Sequence, residues 1–133
     1  MRYLLTLVML SLLPLWAGAA DNNPMLEHIN RHILAYNANN AEAYADFFHP
    51  DIEVYNYPQS VLTSGRSALI QSTQRTFSEH SPGTILLNSM LLKDKVVTLE
   101  RASFTLAGVR RNTELVKIYQ FQDGLIRRMT FMD

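Results

Sequence analysis

The stretch 84–132, TILLNSMLLKDKVVTLERASFTLAGVRRNTELVKIYQFQDGLIRRMTFM, decides the fold. It is rich in Val, Ile, Leu, Phe, Thr and Tyr and is punctuated by Lys93-Asp94, Ala107-Gly108 and Asp123-Gly124. β-Branched and aromatic residues suit a pleated backbone, and short dipeptide breaks of this kind suit tight turns. Four strands are expected, Thr84–Leu92, Val96–Leu106, Asn112–Phe121 and Leu125–Met132, joined as an antiparallel meander.

Upstream of Gly83 the periodicity changes. From Arg66 to Glu79 the apolar positions Leu69, Ile70, Thr73 and Phe77 recur at helical spacing, and Ser81-Pro82-Gly83 ends the run. Ile52 to Tyr57 alternates and reads as a strand stopped by Pro58, with a loop from there to Gly65. Earlier still, Met25, Ile29, Ile33 and Tyr36 mark an amphipathic helix that Asn23 caps and Pro24 opens. After the break at 37–40, Asn40 caps a second helix expected over Ala41–Phe48 and ended by His49-Pro50-Asp51. Three helices segregated from a mainly antiparallel sheet give an α+β layer architecture, with the sheet curling around the helices.

The first twenty residues carry one cation at Arg2, an apolar stretch from Leu4 to Trp16 and the small-residue run Ala17-Gly18-Ala19-Ala20. This is the pattern of a secretory signal peptide, with the mature chain expected to start at Asp21. The apolar stretch is about thirteen residues where a spanning helix needs about twenty, so stable membrane anchoring after cleavage is not expected. The remaining 113 residues hold one domain, 21–133, with a formal charge of −1. That balance gives no long-range attraction to nucleic acid or an anionic membrane. The chain has no cysteine, which removes disulfides, thiolate metal ligands and a cysteine nucleophile; the leader implies a periplasmic or secreted location, and the missing cysteines suit a periplasmic protein better than a small disulfide-stapled secreted one.

Several strands are apolar on both faces: Leu115, Tyr119 and Phe121 oppose Val116 and Ile118. An antiparallel sheet with one wet face should alternate cleanly. Helices cover one face, and a second copy of the chain is the simplest cover for the other, so a homodimer through the sheet is expected.

The segments LAYNANNAEAYADFFHPDIEVYN (34–56), GRSAL (65–69) and YQFQDGLIRRMTFMD (119–133), in this order and spacing, resemble the SnoaL-like branch of the nuclear transport factor 2 superfamily, which includes ketosteroid isomerases. The resemblance implies a cone-shaped α+β barrel whose helices close the mouth of a curved sheet around a small-molecule cavity. In the isomerases an aspartate moves a proton, while a tyrosine and a protonated aspartic acid donate to the developing oxyanion. Carried over by position, the base falls on Asn56, the tyrosine on His32 and the aspartic acid on Lys117. An amide does not accept a proton at neutral pH, so the isomerase set is not retained.

The candidate site residues follow from these positions. His32 titrates near pH 6.5 if unperturbed and is the acid or base candidate. Asn56 shares a strand face with Val54 and can orient a carbonyl or hydroxyl through its amide. Lys117 shares a face with Leu115 and Tyr119; if that face is interior it is a pocket cation, and if exterior an ordinary dimer-face lysine. Glu100 and Arg101 are adjacent, so only one of them can line the interior. Tyr36 closes the first helix, and Asp133 matches an aspartate that often closes the last strand in SnoaL-like chains. His28 and His32 stand one helical turn apart, but a third ligand at recognised spacing is missing, so no metal is expected. No phosphate loop or hydrolase motif suggests a cofactor. Arg110 and Arg111 read as a solvated hairpin.

The leading expectation is an exported domain binding a small, largely apolar ligand, oriented by His32, Asn56 and Lys117. The alternatives are an isomerase, cyclase or dehydratase acting through His32, and a dimeric interaction module.

Overall fold

The computed structural model describes residues 23–58 and 60–133. The expected signal peptide and its expected cut site lie outside the described residues. Helix α1 spans Pro24–Asn37, α2 Ala41–Ala45 and α3 Arg66–His80. The strands are β1 Phe48–Asn56, β2 Ser60–Ser64, β3 Gly83–Leu92, β4 Lys95–Leu106, β5 Val109–Gln122 and β6 Leu125–Met132. They form one sheet in the order β2-β1-β6-β5-β4-β3.

The helix starts are built as their sequences require. The Asn23 side chain accepts from the amides of Met25 and Leu26, and Asn40 accepts from that of Ala43. The meander is present as expected. Two of its three turns carry a left-handed pair, Ala107-Gly108 and Asp123-Gly124, whose positive φ angles match the twist of the strands they join.

Two expectations are corrected. Helix α2 ends at Ala45 rather than Phe48, because Phe48 opens β1 opposite Ile126 of β6 and the Phe47 carbonyl accepts from the Ile126 amide at 3.1 Å. Pro50 is tolerated inside β1 because the β1–β6 pairing skips from Phe48 to Glu53, so no ladder bond is asked of its missing N–H. The segment before Gly65 is not a loop but strand β2, paired antiparallel with β1. The resulting β1–β6 pair is parallel within an otherwise antiparallel sheet.

Register shifts at Val54/Tyr55, Leu86/Asn88 and Gln120/Phe121 bend the sheet, and the three helices fill its concave side. The core there comprises Ile29 and Ile33 of α1, Tyr44 of α2, Leu69 of α3 and the inward rows of the strands, including Val96, Ile126 and Met129. Asn37 fixes the end of α1 to the sheet edge. Its amide nitrogen donates to the Thr84 carbonyl at 2.9 Å and its oxygen accepts from the Thr84 amide at 2.8 Å, so one side chain completes the unpaired edge of β3. No helix among the described residues is long and apolar enough to cross a membrane.

Candidate functional site

Strand register decides which side chains face inward. Opposite residues of neighbouring strands share a face, so the pairings Thr98 with Lys117, Lys117 with Phe131 and Phe131 with Asn56 make one row across four strands. A second row runs Val96, Tyr119, Met129 and Val54. Both face the helices, since Val96, Tyr119, Met129 and Val54 are all buried core. Lys117 is therefore interior, and the choice left open by the sequence is settled in favour of the concave face.

The parity of β4 settles Glu100 in the same way. Glu100 is fully buried, while Arg101 points outward and pairs with Glu114 at 2.9 Å. Around the Glu100 carboxylate stand four donors. Thr84 Oγ1 donates to Oε1 at 3.1 Å, Lys117 Nζ lies 3.1 Å from the same oxygen, and Thr98 Oγ1 and the Tyr119 hydroxyl donate to Oε2 at 2.5 and 2.7 Å. A buried charge needs this kind of saturation to persist. Burial pushes the Glu100 carboxyl upward, but the Lys117 charge and the hydroxyls of Thr98 and Tyr119 outweigh it and hold the group below the ordinary carboxylate range. The Tyr119 hydroxyl is pushed well above its usual value by burial and the Glu100 charge, and stays a donor.

Lys117 Nζ has capacity to spare. An ammonium donates three hydrogen bonds, and among the described residues Glu100 is its one hydrogen-bonding partner. The nitrogen lies 5.2 Å from the ring centre of Phe131 and 5.9 Å from that of Tyr36, a cation held against two aromatic rings. Both rings line a cavity of about 290 Å³ between α3 and the inner faces of β1, β2 and β6, together with Tyr44, Val54, Leu69 and Met129. Burial and the Glu100 charge push the Tyr36 hydroxyl up to about 12, and burial with the neighbouring Tyr36 raises Tyr44 well above its usual value. Both are neutral donors at physiological pH.

The expected site residues divide accordingly. Tyr36 and Val54 line the cavity, Lys117 is not itself a lining residue but lies against the rings of Tyr36 and Phe131, which are, and Tyr119 lies deeper, holding Glu100. Asn56 is half-buried at the end of β1, continuing the interior row next to Phe131. Asp133 lies just past β6 and is exposed. His32 is buried behind Tyr44, with the two rings stacked 5.6 Å apart, and its Nδ1 donates to the Ile29 carbonyl at 2.6 Å. That bond places the proton on Nδ1 and leaves Nε2 an acceptor. Burial, reinforced by the Lys117 charge, lowers its pKa to about 3. His28 lies apart, its Nε2 2.8 Å from the Phe47 carbonyl. Arg110 is more than a solvated turn residue, because its guanidinium donates to the Ser81 carbonyl at 2.6 Å and to the Ser103 hydroxyl at 3.0 Å.

Glu100 is the site residue the sequence does not single out. The available signal was its alternation with Val96 and Thr98, but Val97 and Leu99 make the opposite face equally plausible.

The model of the SnoaL-like domain matches residues 29–129. No curated protein matches. Among solved structures, an uncharacterized cystatin-fold protein from Novosphingobium aromaticivorans is similar at 19% identity and a TM-score of 0.74, over 80% of this chain and 96% of its own. A protein with a ketosteroid isomerase-like fold from Catenulispora acidiphila, in complex with trimethylamine, matches at 13% identity and a TM-score of 0.72, over 80% of this chain and 85% of its own. TerC, co-crystallized with polyporic acid, matches at 18% identity and a TM-score of 0.72, over 84% of this chain and 92% of its own. These likenesses establish the fold, and the family match across the helices and sheet establishes membership: the chain belongs to the SnoaL-like domain family, with a nuclear transport factor 2-like cone fold.

Proposed function

We propose that this chain is an exported small-molecule-binding protein, whose cone takes a compact, largely apolar ligand carrying one acceptor oxygen. The observation that carries the reading is the Lys117 ammonium, which spends one hydrogen bond on Glu100 and lies against the rings of Tyr36 and Phe131, two walls of a cavity whose apolar side chains are joined by Thr63, Ser72, Thr73 and Thr76. Pockets of this kind bind through their apolar lining and orient through a few polar groups. A neutral carbonyl suits the site better than a carboxylate, because Glu100 already balances the lysine and a second anion would add an uncompensated buried charge. Tyr36 and Tyr44 are further donors at the wall, and Asn56 extends the same row. His32 supports Tyr44 from behind in its neutral form. Two proteins of the same fold hold small organic molecules, in keeping with this use of the cone.

The test compares acetophenone with ethylbenzene, which has a similar shape and no oxygen. A charged hydrogen bond contributes about 1.5–3 kcal/mol, so acetophenone should bind at least about tenfold more tightly. Equal binding, or no thermal shift with any member of a broad panel of apolar ketones, overturns the reading. N-terminal sequencing of the protein from a periplasmic or culture fraction should start at Asp21; a retained leader in the cytoplasm contradicts export.

A second reading is an enzyme of the isomerase, cyclase or dehydratase type. It draws on the same donors, since Lys117 and Tyr36 could stabilise an enolate oxygen. Glu100 does not serve as its base, because both carboxylate oxygens are already occupied by donors. Solvent deuterium exchange into the methyl group of bound acetophenone, lost with Lys117, would favour it.

We also propose that the outward face of the sheet pairs with a second copy. Met90 and Leu99 are exposed there, flanking Val97 and Val116 on neighbouring strands, and charged residues such as Arg101 and Glu114 stand at the margin. An apolar centre with a charged rim is the anatomy of a stable interface.

A further inference from the structure

A second cavity adjoins the first. It measures about 270 Å³, lies between the ends of α1 and α3 and the inner face of β4, and is lined by Ala102, Phe104, Leu106 and Pro82. Tyr36 and Thr76 line both cavities. The two spaces are therefore lobes on either side of one partition, and the Tyr36 ring is its larger part. The ring is held in place by Tyr44 and Phe77, each with its ring centre 5.2 Å away. Each lobe alone falls just below the range of about 300–1,000 Å³ in which drug-sized ligands are bound, while the two joined would fall inside it.

From this arrangement we infer that Tyr36 sets ligand length: it confines ligands to the lobe beside Phe131, and the lobe beside Phe104 is a second apolar subsite opened when the ring is removed or turned aside. The inference rests on the binding reading above and adds to it a ligand class, a one-ring ketone for the closed partition and a ketone with an apolar group on each side for the open one. The central carbonyl is taken from the Lys117 reading above: its nitrogen lies 5.9 Å from the centre of the Tyr36 ring, the side chain that both lobes share. The hydroxyl of Tyr36 is not what divides them; the ring is.

The experiment titrates acetophenone and benzophenone, which carry one ring and two rings on the carbonyl, into the full chain and its variants. In the unmodified protein benzophenone should bind no more tightly than acetophenone, and on irradiation it should label only residues around the first lobe, such as Leu69 and Met129. In Tyr36→Ala benzophenone should gain about tenfold or more relative to acetophenone, with new labelling at Phe104 or Leu106. Tyr36→Phe should keep the unmodified protein's preference between the two ketones and its labelling pattern, since the ring remains, whatever the loss of the hydroxyl does to both affinities. If Tyr36→Ala does not fold, Tyr36→Leu provides the same comparison with apolar bulk retained on the helix. Labelling of both lobes in the unmodified protein, or a Tyr36→Ala variant without a selective gain, overturns the inference while leaving the binding reading standing. Failure of both ketones to bind any variant overturns the binding reading and the inference with it.

Discussion

Lys117 Nζ and Glu100 Oε1 lie 3.1 Å apart on neighbouring strands, diagonal neighbours two residues out of register, with the glutamate fully buried and the lysine side chain 10% exposed. The asymmetry gives the pair its meaning. Glu100 has exhausted its acceptors on protein donors, whereas Lys117, with Glu100 its one hydrogen-bonding partner among the described residues, keeps donors free against the rings of Tyr36 and Phe131. Glu100 is therefore the positioning residue and Lys117 the group that meets the ligand.

Removing the lysine alone should be costly. Lys117→Met leaves a carboxylate buried without its counter-charge, and we expect a loss of about 3–5 kcal/mol in chemical denaturation. The double variant Lys117→Met, Glu100→Gln removes both charges and should recover most of that loss. If the double variant is no more stable than the single one, the pair is not an electrostatic unit.

Acid stability should carry the signature of His32. Folded, its imidazole stays neutral down to about pH 3; unfolded, it protonates near the ordinary histidine value of 6.5. Between those limits the unfolded chain binds one more proton, so the stabilisation is complete above about pH 6.5 and is lost as pH falls toward 3, by at most about 1.4 kcal/mol per unit. The depressed Glu100 carboxyl adds its own loss as pH falls through the ordinary glutamate value of 4.5. Denaturation midpoints between about pH 5 and 6.5 should therefore show a shallower slope for His32→Phe than for the unmodified chain. Parallel slopes would mean that the imidazole is not held neutral.

The residues behind these two predictions differ in how legible they were. The meander and the helix starts could be read because local chemistry specifies them: turn dipeptides at 107–108 and 123–124, and capping asparagines at 23 and 40. Strand β2 could not, since SVLTS is short and mostly exposed and is a strand only because β1 pairs with it. The end of α2 was misplaced for a related reason. The sequence 46–49 is compatible with continued helix, and it is the distant Ile126 that draws Phe48 into the sheet. Lys117 was found but its face was not, and Glu100 could not be chosen over the adjacent Arg101, because inward and outward parity in β4 and β5 follows from inter-strand register. The chemistry of the site was visible residue by residue, while its assembly depended on pairing between strands.

The outward sheet face yields a prediction about assembly. Leu99 is 37% exposed near the middle of the apolar patch, so Leu99→Asp should place a charge in the dimer contact while leaving the core intact. Sedimentation velocity should find the unmodified protein as a dimer and this variant as a monomer with an unchanged circular dichroism spectrum. A monomer in both cases removes the proposed interface.

The central claim is that Lys117 donates to a ligand oxygen inside the cone. The most direct measurement is the carbon-13 shift of carbonyl-labelled acetophenone bound to the protein, because a hydrogen bond from a cation polarises the carbonyl and moves that resonance downfield. We expect a downfield shift on binding to the unmodified chain, and its loss when acetophenone binds the Lys117→Met, Glu100→Gln variant. A bound ketone with an unshifted carbonyl, or the same shift in both proteins, would contradict the account.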